Sequence, residues 1–328
     1  MQPFTYEKAT DQAAAARAVA AEKTAKYLAG GTTLVDLMKL YVETPTKLVD
    51  IKRLPMAEIR READGSISIG AGVTNSAVAY HELVQKEYAV LSQAILAGAS
   101  TQIRNVATVG GNLLQRTRCP YFRDGISNCN KRTPGSGCDM ATGFNRTAAV
   151  LGTSDRCVAT YPGDMAIALL SLDAVVHVAT DQATRKIAID DFFLLPGNTP
   201  EKETSLSHGE IITAVSLPRI DGGTKQGYVK VRDRASYEFA LASAAAVLWM
   251  DGGTITQARI SLGGVASKPW RAKETEAMLA GKKPDSALFR EAAAASLKAA
   301  TPMKYNAFKP ELATRAIERV LTELTQAA

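Results

Sequence analysis

Cys119, Cys129, Cys138 and Cys157 are the only cysteines in this 328-residue chain, and they fall in one segment. The segment, about 113–157, is rich in Arg, Asn, Gly and Pro and poor in apolar periodicity. A structureless stretch of that length inside a compact domain is uncommon unless it is functional or disordered. Whatever fold the chain adopts must therefore carry a long loop that gathers four thiols, and crosslinks there would replace a missing core. The spacing is C-x9-C-x8-C-x18-C. Zinc ribbons and fingers use tight C-x2-4-C pairs, and none occurs here. His81, His177 and His208 all lie outside the segment, which disfavours a mixed Cys/His site. Iron–sulfur clusters accept wider, irregular spacing, with each thiolate on its own turn. Nearby Arg116, Arg118, Arg123, Lys131, Arg132 and Arg156 offer charge balance for such an assembly. A [4Fe–4S] cluster, a zinc ion, two disulfides and four unrelated buried thiols all remain open readings.

The rest of the chain reads as ordinary mixed structure. Residues 11–23 are an alanine-rich helix. Lys26 to Ala29 form a short strand that turns through Gly30-Gly31-Thr32-Thr33 into a helix bearing Leu34, Leu37 and Met38. Lys47 to Ile51 and Ser66 to Ala71 are expected strands, and 75–86 and 88–99 expected helices. After Pro162 come the helix GDMAIALLSLDA, the strand AVVHVA and the strand Ile211 to Leu217. The turn-rich RIDGGTKQG marks a domain boundary. Strands near 227–232, 239–250 and 254–263 follow, the last two joined by the hairpin signal Asp251-Gly252-Gly253. Amphipathic helices near 285–300 and 310–325 complete an α+β C-terminal domain.

Two glycine-bearing loops carry the binding signal. Glycine at a strand-to-helix turn lets backbone N–H groups approach a phosphate, and Thr32 and Thr33 add hydroxyls. The bland reading is a plain turn with a threonine N-cap. The second loop, Arg104 to Asn112, offers Thr108, Gly110, Gly111 and Asn112, and its bland reading is a β-turn. Two such loops together point to a diphosphate ligand held from both sides. The pattern is neither GxGxxG nor a P-loop, and no nucleophile elbow or HExxH occurs. The lack of an acid/base pair for hydrolysis pushes the reading toward cofactor-borne redox chemistry.

Composition excludes little. The net charge of +6 and pI near 9.0 suit an acidic partner surface. Without a groove-reading element, nucleic-acid binding has little support. No stretch reaches the ~18 apolar residues that span a bilayer, so membrane insertion is not expected. The start MQPFTYEKAT lacks the form of a secretory signal, so export is expected only through another chain's signal.

Taken in order, LAGGTTLVDLMK, RNVATVGGNLLQ, TYPGD and KVRDRASYEFALASAA resemble the FAD-binding subunit of the molybdenum hydroxylases, the xanthine dehydrogenase and carbon monoxide dehydrogenase family. The likeness spans essentially the whole chain. It implies an α+β fold: a two-lobed, PCMH-type FAD-binding domain over 1–217, and a C-terminal domain of the CO dehydrogenase flavoprotein type over 224–328. The cysteine insert narrows the likeness to the medium subunit of the bacterial periplasmic aldehyde oxidoreductase, which carries an extra [4Fe–4S] cluster. The flavin subunits of 4-hydroxybenzoyl-CoA reductase and xanthine dehydrogenase are the alternatives. By this resemblance Tyr27, Leu28, Ala29, Gly30, Gly31, Thr32, Thr33 and Leu34 wrap the FAD diphosphate. Thr108, Gly110, Gly111 and Asn112 hold its other side, Asp164 contacts the ribose region, and Ile212 and Lys230 lie beside the adenine and isoalloxazine ends. Cys119, Cys129, Cys138 and Cys157 ligate the cluster. A large molybdenum-pterin subunit and a small subunit with two [2Fe–2S] clusters complete a heterotrimer, exported to the periplasm with a partner or else retained in the cytoplasm. Tyr237-Glu238-Phe239 departs from the paired acidic residues of xanthine dehydrogenases, which leaves NAD use open. A disulfide-stapled protein for a phosphate ligand and a basic, metal-stapled nucleic-acid module are the competing classes.

Overall fold

A computed structural model describes residues 1–220 and 223–326. Asp221 and Gly222 of the expected boundary turn, and the last two residues of the expected C-terminal domain, lie outside the described residues.

Three sheets organise the chain. The first is parallel: β1 (Thr5–Lys8), β2 (Lys26–Leu28) and β3 (Lys47–Asp50) in the order β1-β3-β2. Parallel neighbours need crossovers, and the helices Gln12–Ala20 and Leu34–Lys39 supply them. Asp11 caps the first, accepting from Ala14 N at 2.7 Å, and Ala15, Ala16 and Val19 turn inward. The second sheet is antiparallel: β4 (Ile59–Arg61), β5 (Ile67–Gly70), β6 (Val175–Ala179), β7 (Thr184–Ala188) and β8 (Ile211–Leu217), in the order β4-β5-β8-β6-β7. The third is also antiparallel: β9 (Lys225–Val231), β10 (Ala242–Asp251), β11 (Thr254–Gly263) and β12 (Trp270–Arg271), in sequence order. The helices Lys273–Leu279 and Lys309–Gln326 pack on it, and Ser286–Ala295 packs on those two helices.

Met165–Ser171 joins the second and third sheets. Every residue of this helix is buried, and it packs on the helix Ala89–Ala97 and on β10 and β11. A helix that is apolar on all sides belongs in the middle of a structure, as AIALL here does. The Asp251-Gly252-Gly253 hairpin forms as expected. Asp251 pairs with Thr254, and Gly252 (φ 52) and Gly253 (φ 79) take the left-handed conformations of a two-residue turn.

The structure differs from the sequence reading in places. The expected helix 75–86 is broken at His81, whose extended backbone (φ −72, ψ 132) separates Asn75–Tyr80 from Glu82–Glu87. The expected strand 239–250 begins at Ala242, and the expected helix 285–300 stops at Ala295. The cysteine segment is not structureless. Its helical turns Pro120–Arg123 and Asp139–Thr142 bury Phe122 and Met140 among Cys119, Cys129, Cys157 and Leu37. Asn130 Oδ1 accepts from Gly135 N and Gly137 N, and Arg132 donates to the carbonyls of Tyr121 and Phe122. Polar side chains here do what strands do elsewhere, satisfying buried backbone groups.

The segment's exit is fastened to the C-terminal domain. Lys309 is 1% exposed, and its Nζ donates to the carbonyls of Thr147 (3.1 Å), Ala148 (2.9 Å) and Gly264 (2.7 Å). Burial, aided by Arg146, pulls Lys309 from 10.5 to about 7. Between those values the unfolded chain holds a proton that the folded chain lacks, so this group makes the fold more stable as pH rises through that window. In denaturant titrations at pH 7 and pH 9, Lys309→Met should remove that part of the slope. Identical slopes in the two proteins would refute it.

Candidate functional site

The two glycine loops meet backbone to backbone. A Cβ on Gly30 would lie 2.1 Å from the Val106 carbonyl oxygen and 3.2 Å from Ala107 Cα. Gly31 (φ 72) takes the left-handed conformation that turns the chain into Leu34–Lys39. The N-cap reading of Thr33 fails: it occupies the cap position but makes no capping hydrogen bond, so its hydroxyl is not used in that way. The second loop is not a free turn. Val109–Leu113 is a short helix, and Thr108 caps it by accepting from Gly111 N at 3.2 Å. Asn75 N donates to Ala107 O at 2.8 Å and fixes the loop to the second lobe.

Between the lobes runs a cleft of about 650 Å³, within the range of cofactor sites. Of the expected residues, Tyr27, Ala29, Gly30, Gly31, Thr32, Thr33, Leu34, Thr108, Gly110, Gly111 and Ile212 line it. Gly110 sits against Ala71 and Ile212, where a Cβ would come within 3.1 Å of Ala71 Cβ. β8 enters the cleft at a bulge: Val178 pairs with Ile212 and His177 with Ala214, leaving Thr213 extra. Tyr27 donates to Gly209 O at 2.7 Å, and burial raises its hydroxyl well above the usual range.

Four expected residues do not line the cleft. Leu28 packs beside Gly31, and Asn112 accepts from Gln115 Nε2 at 3.0 Å. Asp164 and Lys230 pair with each other at 2.8 Å, with side chains 10% and 4% exposed. Tyr228 donates to Asp164 at 2.6 Å, and Lys230 also donates to Ala97 O at 3.2 Å. This network ties β9 to the turn after Ala89–Ala97. A buried charge needs a partner, and each of the two carboxylate oxygens has one.

The cleft also holds Glu43 and Glu203, which sequence reading missed, with Arg116 and Lys131, which it had assigned to the cysteines. Arg116 bridges Glu43 (2.7 Å) and Glu203 (2.5 Å), and Lys131 pairs with Glu203 at 3.0 Å. The two cations hold the Glu203 carboxyl below its usual range despite burial. Arg118 and Arg123 pair with Asp36. The basic residues expected to balance a cluster are thus largely engaged by carboxylates, and only Lys131 and Arg156 border the cysteine cavity.

All four cysteines line one small void of about 10 Å³, and none is in a disulfide. Cys119, Cys129 and Cys157 are buried, and Cys138 is half-buried. Cys119 and Cys138 precede helical turns, and Cys129 and Cys138 face each other across an isolated bridge. Cys119 Sγ lies 3.3 Å from Met140 Sδ. Among the described residues, no group of three or more His, Cys, Asp or Glu is arranged around a single-ion position. Burial pushes the Cys119 thiol up to about 12, against the amide N–H groups of Phe122 and Tyr121. Cys157 is raised by burial and lowered by Lys131. Such thiols stay protonated at neutral pH unless a cation displaces the proton. Cys157 also lines the main cleft, so the two cavities share a wall.

Residues 2–220 match the FAD binding domain in molybdopterin dehydrogenase, and 227–324 match the CO dehydrogenase flavoprotein C-terminal domain. The chain belongs to this family of molybdenum hydroxylase flavin subunits. It is 50% identical over 326 residues to the aldehyde oxidoreductase FAD-binding subunit PaoB of Escherichia coli (strain K12), covering 98% of each chain. The glyceraldehyde dehydrogenase medium chain of Sulfolobus acidocaldarius is 27% identical over 88% of this chain and 85% of that protein. The fold is that of carbon monoxide dehydrogenase from Hydrogenophaga pseudoflava, with a TM-score of 0.78 at 24% identity over 99% of this chain and 98% of that one. FAD binding goes with the matched domain, and the cleft is its candidate site. Gly30→Ala should force the two loops apart, cost about 3 kcal/mol and yield protein with markedly less flavin. Thermal unfolding and the flavin-to-protein ratio measure both effects. Undiminished flavin would mean the loops do not clasp it.

Proposed function

We propose that this chain is the FAD- and [4Fe–4S]-carrying electron-transfer subunit of a heterotrimeric molybdenum aldehyde oxidoreductase. Residues 1–217 form the FAD-binding domain and 224–328 the C-terminal domain. A large molybdenum-pterin subunit oxidises the aldehyde, a small subunit with two [2Fe–2S] clusters relays the electrons, and this chain delivers them to an external acceptor. The cleft carries the reading. Two glycine loops abut so closely that only backbone fits between them, and the hydroxyl of Thr33 is free of capping.

FAD in this cleft supplies two-electron uptake coupled to stepwise release. The chain's own residues bind, orient and shield it. The backbone of Gly30 to Leu34 and the turn at Thr108 to Gly111 bound the cleft from both sides. The N–H groups of the first loop suit a diphosphate, whereas those of Val109, Gly110 and Gly111 donate to Val73 O, Ala71 O and Thr108 Oγ1. Ile212, Tyr161 and Phe193 give it apolar walls. Asp164 and Lys230 act behind it, fixing the C-terminal domain against the second lobe.

Four thiols and no competing carboxylate or imidazole on the void form a donor set suited to iron and sulfide. A single zinc ion would also need the thiols to regroup, with all four sulfurs about 2.3 Å from one point, and the wide spacing of the four cysteines favours the cluster. Ligation of a cubane would involve the thiols spreading from their present void. Export to the periplasm with a partner that bears the signal completes the proposal.

The purified complex should show flavin and iron absorption, with one FAD and four iron atoms assigned to this chain, as the cofactor chemistry requires. Cys129→Ser should lose the iron and acid-labile sulfide of this chain. Zinc without labile sulfide in the wild-type chain would refute the cluster, and absence of flavin would refute the cleft assignment.

A further inference from the structure

The strap Phe193–Thr204 forms one wall of the cleft. The Phe193–Thr204 bridge and the Leu194 N to Glu203 O hydrogen bond (3.1 Å) close its ends, and Leu194, Pro196 and Glu203 face the cleft. At its tip, nothing lies within 4 Å of where a Gly197 Cβ would sit. Its attachments come from the stretch 116–152, at the cysteine segment. Lys131 Nζ donates to Pro200 O at 2.8 Å and pairs with Glu203 at 3.0 Å, with its side chain 10% exposed. Arg116 Nε pairs with the same carboxylate at 2.5 Å. Leu195 packs on Gly152 so closely that a Cβ there would come within 2.7 Å of Leu195 Cδ2.

We propose that the cysteine segment latches this strap through Lys131, and so sets how tightly the cleft holds its ligand. The inference rests on the reading of the cleft as the FAD site. Lys131 touches both structures at once: its ammonium grips the strap while its side chain borders the cysteine void. Without it, Pro200 O and Glu203 each lose a donor, and the strap keeps Arg116, the Leu195–Gly152 contact and, at its root, the Tyr161–Phe193 ring contact. A wall that is closed for only part of the time weakens apparent affinity in proportion to the closed fraction. Lys131 is then a positioning residue for the flavin, and the insert governs cofactor retention as well as any metal chemistry.

The test uses the full complex, stripped of FAD and titrated with FAD by fluorescence quenching, with tryptic cleavage after exposed Lys202 followed by mass spectrometry. Lys131→Met should bind FAD about tenfold or more weakly and be cut after Lys202 correspondingly faster, with iron content unchanged. Lys131→Arg keeps the ion pair and should restore both readouts. Glu203→Gln should show the same protease sensitivity from the strap side. If Lys131→Met binds FAD and resists trypsin like the wild type, the latch is wrong. Loss of iron along with FAD would overturn it too, placing the lysine with the cysteines instead. Failure of the wild type to bind FAD would instead strike at the reading of the cleft.

Discussion

The approach of Gly30 to the Val106 carbonyl is the contact on which the cleft depends. It joins the parallel first sheet to the antiparallel second with no side chain between them. Each loop is braced from behind. Gly31 in the left-handed region leads straight into a helix, while Thr108 caps another and Ala107 O is held by Asn75 N. Two turns that were merely flexible would pay a large entropy cost to line a cavity. Turns already fixed by their own lobes do not.

Charge fastens the cysteine segment to its surroundings, beside its own small apolar cluster. Asp36 on the first lobe takes Arg118 and Arg123, Glu43 and Glu203 take Arg116, and Lys309 takes the carbonyls at the segment's exit. Arg116 and Glu43 keep side chains only 19% and 15% exposed, so removing one would leave the other's charge poorly compensated. Isolated surface pairs have no such weight. The segment is consequently a wall of the cleft, with Cys157 shared between the two cavities.

Much of the fold was legible because its signals are local. Asp251-Gly252-Gly253 specified its hairpin, and the apolar helix after Pro162 announced burial. β1, with all four residues exposed, offered no alternation to read, and the break at His81 depends on how Asn75–Tyr80 packs. In the site, eleven of the fifteen residues expected at the cofactor line the cleft. These follow from glycines and threonines at turns, whose backbone role is written in residue type. Asp164 and Lys230 were legible as residues of consequence, but their pairing with each other was not. Glu203 gave no signal, because an isolated acid in a loop looks the same whether it faces water or two cations.

By itself the sequence determined the membership of the chain, its two glycine turns and the gathering of four thiols in one segment. Backbone conformation and residue chemistry act over a few positions and can be read there. Only the tertiary structure decided that Gly30 meets Val106, that Asp164 faces Lys230, and that Lys131 bridges the cysteine segment and the strap. Those contacts span many tens of residues. They arise when sheets pack and a charge taken out of water must find its partners among the groups the packing brings within reach.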